Sequence, residues 1–194
     1  MNRKTMDIHT LTGVAIFTAI VIVLQLLGSF IRFGPFSISL TLIPIVVGAA
    51  LYGPGAGAWL GFVFSMVVLI SGDAAPFMTV NALGTILTVI VKGTAAGFLV
   101  GVVFRALEKK NTWLAVICAA MTCPVVNTGL FLVGCKLFFM DTITGWGQAM
   151  GFESVGKYMI YGLVGGNFLF EVLTNIILSP VILRLIRIGR KEKA

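Results

Sequence analysis

Charge is scarce in this chain. Only 11% of its 194 residues are Asp, Glu, Lys or Arg, and a single histidine stands at His9. A soluble domain carries about a quarter charged residues. The shortage, together with 58% hydrophobic residues and a mean hydropathy of +1.06, reads as an integral membrane protein. One histidine cannot build a His-rich metal site, and with no H-E-x-x-H and no G-x-S-x-G the sequence excludes a zinc protease and a serine–histidine hydrolase. A G-x-x-x-x-G-K-[ST] phosphate loop is also missing, so ATP is not hydrolysed by that route. The three cysteines, Cys118, Cys123 and Cys135, form no C-x-x-C pair and lie in apolar runs as packing residues. No enzyme, metal or cofactor is expected from these residues.

What is present is hydrocarbon. A crossing needs about 20 apolar residues, so the chain has room for about six and for no soluble catalytic domain beside them. The runs predict one all-α membrane domain, 1–194, with helices over 11–31, 38–52, 56–70, 81–104, 113–140 and 158–188. Pro44 predicts a kinked second helix, while Pro124 falls inside the fifth and Pro180 near the end of the sixth. Residues 141–157, with Trp146, Gln148 and Glu153, read as a polar outer loop long enough to act as a lid.

The formal charge of +7 does not point to nucleic acid, because the basic residues are sorted by side. Arg3, Lys4, Arg105, Lys109, Lys110, Arg184, Arg187, Arg190, Lys191 and Lys193 fall on one side of a six-crossing bundle, against Arg32 and Lys157 on the other. By the positive-inside rule both termini are cytoplasmic and the chain is a multi-pass protein of the cell membrane.

Glycines repeat every four residues at Gly53, Gly57 and Gly61 and again at Gly93, Gly97 and Gly101, a spacing that lets helix backbones touch in lipid. Ala15 and Ala19 make a similar small face on the first helix, which either packs within the bundle or docks a partner subunit.

Ionisable groups inside apolar runs are costly and so are candidates for function: here Lys92, Lys136 and Glu171. Asn81, Thr85, Thr88 and Lys92 share a helix face by their spacing, as do Asn167, Glu171 and Asn175, with Asn127 at mid-depth on the fifth helix. Two readings stand. In one these residues line a polar interior that binds a solute; in the other Lys92 pairs with Glu171 and the asparagines hold helices together. Lys136 lies half a turn from Asn127 and also reads as snorkelling to the outer surface. Two lysines against one glutamate leave a spare positive charge, which suits a small carboxylate-bearing solute. Phe33, Phe36, Phe77 and Trp146 in outer segments either cover such a pocket or anchor the membrane interface.

Almost the whole chain resembles the substrate-binding S components of energy-coupling factor (ECF) vitamin transporters. The resemblance is carried by the stretch SISLTLIPIVVGAALYGPGAGAWLG (37–61) and by the A-x-x-x-A element Ala15–Ala19. It implies a subunit that captures a vitamin at the outer half of a six-helix bundle. Its partners would be a transmembrane coupling subunit, facing Ala15 and Ala19, and two cytoplasmic ATPases, with the subunit toppling in the membrane to release its ligand. The site positions it implies are Asn81, Lys92, Asn127, Lys136, Asn167 and Glu171. The pattern is similar to the pantothenate, folate and riboflavin branch, and the spare positive charge favours the carboxylates, pantothenate first. The competing readings are a stand-alone proton-coupled carrier using Glu171 and a purely structural assembly protein.

Overall fold

The computed structural model describes residues 8–29, 32–33, 36–37 and 41–191. Expectations on Arg3, Lys4, Ile31 and Lys193 lie outside the described residues, as do those on the side chains of Arg32, Phe33, Phe36, Arg190 and Lys191. Helix α1 (Ile8–Gly28) leads to a two-residue antiparallel ladder, β1 (Arg32–Phe33) with β2 (Phe36–Ser37). Then follow α2 (Leu42–Tyr52), α3 (Pro54–Ile70), the single turn α4 (Ala75–Met78), α5 (Ala82–Glu108) and α6 (Thr112–Phe138). The chain closes with α7 (Met140–Ala149), α8 (Val155–Lys157), a π-helical segment (Tyr158–Gly165), α9 (Gly166–Ile177) and α10 (Ser179–Lys191). Among the described residues four stretches are long and apolar enough to cross a membrane: α1, α5, α6 and the unit Val155–Ile177; α2 and α3 are shorter apolar helices.

Local chemistry sets the boundaries. Asn111 accepts from the N–H groups of Trp113 and Leu114 to start α6, a side-chain cap that satisfies donors the helix cannot. Gly53, at φ +97°, turns α2 into α3, and Pro54 occupies the first position of α3, where its missing N–H costs nothing. A side chain at Gly53 would also meet the Arg105 guanidinium, which lies across the turn.

Three expectations are corrected. Pro44 falls in the first turn of α2, where N–H groups have no intrahelical partner, so it does not interrupt that helix. The expected loop over 141–157 is largely helical: α7 buries Ile143 and Gly147 against the segment that follows. Its Thr, Asp, Gly and Gln letters conceal an apolar spacing of Phe139, Ile143 and Trp146, and Asp141 sits favourably in the first turn. The expected single helix over 158–188 is broken. Pro180 cannot donate to the ladder and disfavours continued helix before it, so α9 ends at Ile177 and α10 starts afresh after Leu178. Glycines at 162, 165 and 166 accompany the π-helical winding upstream.

The seam between α3 and α5 is backbone on backbone. A Cβ at Gly57 would strike the Gly97 carbonyl, one at Gly61 the Gly93 carbonyl, and one at Gly101 the backbone of Pro54. Ser65 fastens the same seam, its Oγ 2.7 Å from the Val89 carbonyl oxygen. Hydrophobic drive between helices is absent in lipid, so this close packing must hold them together. Gly97→Leu is expected to cost at least about 3 kcal/mol through overpacking, read as a large loss of thermal stability in detergent, with Gly129→Leu, whose Cβ meets nothing within 4 Å, as the tolerated control.

Candidate functional site: a polar cavity between five helices

Three helix faces converge on one chamber. Helix α5 contributes Thr85, Thr88 and Lys92, spaced as one stripe; α6 contributes Asn127 and Phe131; α9 contributes Asn167 and Glu171. Phe64 and Val68 of α3 form a wall, and Gln25 of α1 reaches in from the first helix. The cavity volume is about 70 Å³, room for several water molecules at roughly 10–15 Å³ each.

Lys92 is half-buried, its ammonium 5.2 Å from the ring centre of Phe131 and 5.9 Å from that of Phe64. Both faces attract a cation. The Glu171 carboxylate and, more weakly, that of Asp73 act on the same ammonium electrostatically. Glu171 is buried, and its Oε1 accepts from Asn167 Nδ2 at 3.0 Å. Asn175, also buried, donates Nδ2 to the Glu171 carbonyl at 2.8 Å and lies behind the chamber wall rather than on it.

Two wall atoms, Thr88 Oγ1 and Asn127 Oδ1, are buried with no hydrogen-bond partner among the described residues. Leaving such a group unmet costs roughly 1–3 kcal/mol, so the pair is unsatisfied polarity in the chamber wall. At the mouth, Gln25 Nε2 donates to Asp73 Oδ2 and Ser71 Oγ donates to the same oxygen, both at 3.0 Å; Thr41 Oγ1 donates to Gln25 Oε1, also at 3.0 Å. This clasp joins α1, the start of α2 and the turn after α3. Gln25→Leu strips partners from Thr41 and Asp73 and is expected to cost about 1–3 kcal/mol, measured by thermal unfolding. The roof is aromatic: Phe77 of α4 meets Phe131, Phe139 and Trp146 edge-on at 5.5, 5.1 and 5.5 Å between ring centres.

A family model for the ECF transporter, substrate-specific component, matches residues 9–186, nearly the whole chain. The chain belongs to that family. It is therefore a transport component of the cell membrane, multi-pass and not an enzyme. Among its relatives is the pantothenic acid transporter PanT of Lactococcus lactis subsp. cremoris (strain MG1363), 28% identical over 197 residues that cover 93% of each chain.

Within this substrate-specific component, Lys92, Asn127, Asn167 and Glu171 come together on the cavity wall. Asn81 does not. It caps α5, its side chain accepting from the Gly84 N–H at 2.9 Å, because the helix starts at Ala82 rather than before it. Lys136 does not either: it is exposed on α6, carried away from Asn127 by the nine residues between them. The spare positive charge drawn from Lys136 is thus not at the chamber. Among the described residues its ionisable lining is Lys92 with Asp73 and Glu171.

Phe77 serves the roof directly and Trp146 through its contact with Phe77. Gln25 and Asp73 are polar wall residues that the spacing did not single out. Gln25 is a polar residue inside the first apolar run, and that was its signal; Asp73 is indistinguishable from an ordinary turn acid.

Ala15 and Ala19 are exposed on α1. Ala15 borders an apolar groove of about 640 Å³ with Val14, Tyr52, Ala56 and Trp59, which shares no lining residue with the chamber. Trp59 is held over it by an indole N–H bond to Thr18 Oγ1 at 3.1 Å.

Proposed function

We propose that this component captures pantothenate from outside the cell and delivers it to an ATP-driven ECF importer. The observation that carries the reading is the meeting of Lys92 with the unmet Thr88 Oγ1 and Asn127 Oδ1 in one chamber. The ammonium takes the carboxylate, Asn127 Oδ1 accepts from the amide N–H, Thr88 Oγ1 donates to the amide carbonyl, and Asp73 or Glu171 accepts from the hydroxyls. The pantothenic acid transporter among its relatives supports this choice over folate or riboflavin, the other ligands of the branch.

In this reading α1, α2, α3, α5, α6 and the unit Val155–Ile177 serve as six crossings, with both termini in the cytoplasm and residues 1–194 as one domain. The chamber then lies in the outer half, under α4 and α7, while the Gly53 turn, the α5–α6 turn and α10 face inward. A transmembrane coupling subunit docks on the face of Ala15 and Ala19, and two cytoplasmic ATPases supply the energy. Asn81 and Lys136 serve as cap and surface residues rather than ligand contacts.

The test is a titration of the detergent-purified protein with pantothenate, folate and riboflavin, with mass spectrometry of what it retains from rich medium. Stoichiometric pantothenate is expected; tight binding of either rival with none of pantothenate overturns the assignment. The buried Glu171 in the chamber favours one further reading, a proton-coupled carrier. That reading requires uptake driven by a pH jump into liposomes holding this chain alone, abolished by Glu171→Gln; the proposal here expects no such uptake.

A further inference from the structure

Beside the chamber a narrow gap of about 40 Å³ lies between α6 and the last crossing. Its inner end shares Lys92, Asn127 and Asn167 with the chamber wall. Its outer end shares Thr128 and Val164 with an apolar groove of about 380 Å³ on the outside of the bundle. Beyond Thr128 that groove presents hydrocarbon and aromatic surface, including Leu132, Ile160 and Phe168. The π-helical segment packs on α7, α8 and α9 and leaves the groove between itself and α6. π-Helical turns are rare and occur frequently at functional sites. Gly129, on the groove floor, has open space where a side chain would stand.

The order of surfaces is a charged and polar chamber, a threshold of two amide side chains, and a trough of hydrocarbon. One chemistry matches that order: a polar head carrying a single alkyl chain. Lys92 stands at the junction, so the end of the ligand that it holds is the end from which a substituent would leave. A bilayer phospholipid fits less well, because its phosphate belongs at the membrane surface whereas Asn127 lies midway along α6.

We propose that the gap accepts an alkyl substituent, so that this component also binds N-alkyl amides of its carboxylate ligand, the chain lying in the groove. The inference rests on the pantothenate reading for the identity of the head. In the amide, the carbonyl replaces the carboxylate as acceptor for the Lys92 ammonium, and the new N–H stands at the Asn127–Asn167 threshold. The alkyl chain leaves water for apolar surface, and affinity rises with its length.

The experiment titrates the purified full chain with pantothenate and with its ethyl, butyl, hexyl and octyl amides. It is repeated on Gly129→Leu, which places a side chain in the open floor, and on Gly129→Phe, which fills more of it. In the unsubstituted protein affinity is expected to rise at least about tenfold from the ethyl to the hexyl amide. Both variants are expected to flatten that rise while holding pantothenate affinity within about twofold. A flat series in the unsubstituted protein overturns the inference, as does a rise that both variants keep, since partition into detergent alone would produce it. Should pantothenate fail to bind while the amides still rise and the variants flatten them, the groove stands and the pantothenate reading falls. Should pantothenate bind and the amides stay flat, the reverse holds.

Discussion

Lys92→Met is expected to weaken pantothenate binding by at least about a hundredfold. Removing one partner of a buried, hydrogen-bonded charge pair costs roughly 2–5 kcal/mol, most of it from the charge left behind, and each 1.4 kcal/mol is tenfold in affinity. Here the loss is doubled in kind. The ligand carboxylate enters a chamber whose other described ionisable groups are Asp73 and Glu171, so without the ammonium it meets only like charge. The Phe131 and Phe64 rings that flank Lys92 offer an anion nothing.

Isothermal titration on detergent-purified protein reads the effect, with two comparisons that separate charge from fold. Pantothenol, in which an alcohol replaces the carboxylate, is expected to lose far less affinity on the same substitution. Lys92→Arg, which keeps the charge, is expected to recover most of the binding. Equal losses for the acid and the alcohol would show that Lys92 supports the wall rather than the ligand, and the carboxylate assignment would fall.

The residues that carry this prediction were legible because polarity inside an apolar run is conspicuous. Lys92, Asn127, Asn167 and Glu171 each interrupt hydrocarbon, and a four-residue spacing puts Asn167 and Glu171 on one face. What spacing does not supply is azimuth between helices. Lys136 looked equivalent to Lys92 as a charge in an apolar run, but nine residues at roughly 100° each turn it half a circle from Asn127, onto the exposed side of α6. Counting it gave the chamber a positive charge it does not hold.

Asn81 stands apart from the chamber for a different reason. Its place at the head of the α5 stripe is real, yet a one-residue difference in where the helix starts turns a wall residue into a cap. The aromatic walls Phe64 and Phe131 had no signal at all, because a phenylalanine lining a cavity and one facing lipid read alike in sequence. The same blindness hid α7. Its buried spacing lies among Thr, Gly and Gln, residues that composition assigns to loops, and only the contact of Ile143 and Gly147 with the π-helical segment makes it a helix over the chamber.

Ala15→Trp combined with Ala19→Trp is expected to abolish uptake while leaving pantothenate affinity within about twofold. The two alanines are exposed on α1 and neither lines the chamber; Gln25, the α1 residue that does, is six positions further along the helix from Ala19. Substitutions at well-separated sites change one another's energetics little, so binding is preserved. Docking in lipid is another matter. Small residues let helices approach closely, and that contact replaces the hydrophobic drive that water would have provided. Two indoles on the face beside Trp59 and Tyr52 would hold a partner helix several ångströms away and fill the groove that Ala15 borders.

The measurement pairs two readouts on one preparation: titration of the isolated component, and ATP-dependent accumulation in liposomes that also hold the coupling subunit and the ATPases. Ala15→Ser with Ala19→Ser keeps the face small and is expected to retain uptake. Loss of binding together with uptake in the tryptophan variant would place Ala15 and Ala19 in internal packing. Full uptake would move the coupling surface elsewhere on the bundle, with the remaining exposed apolar face of α10, at Val181, Leu185 and Ile188, the next to be tested.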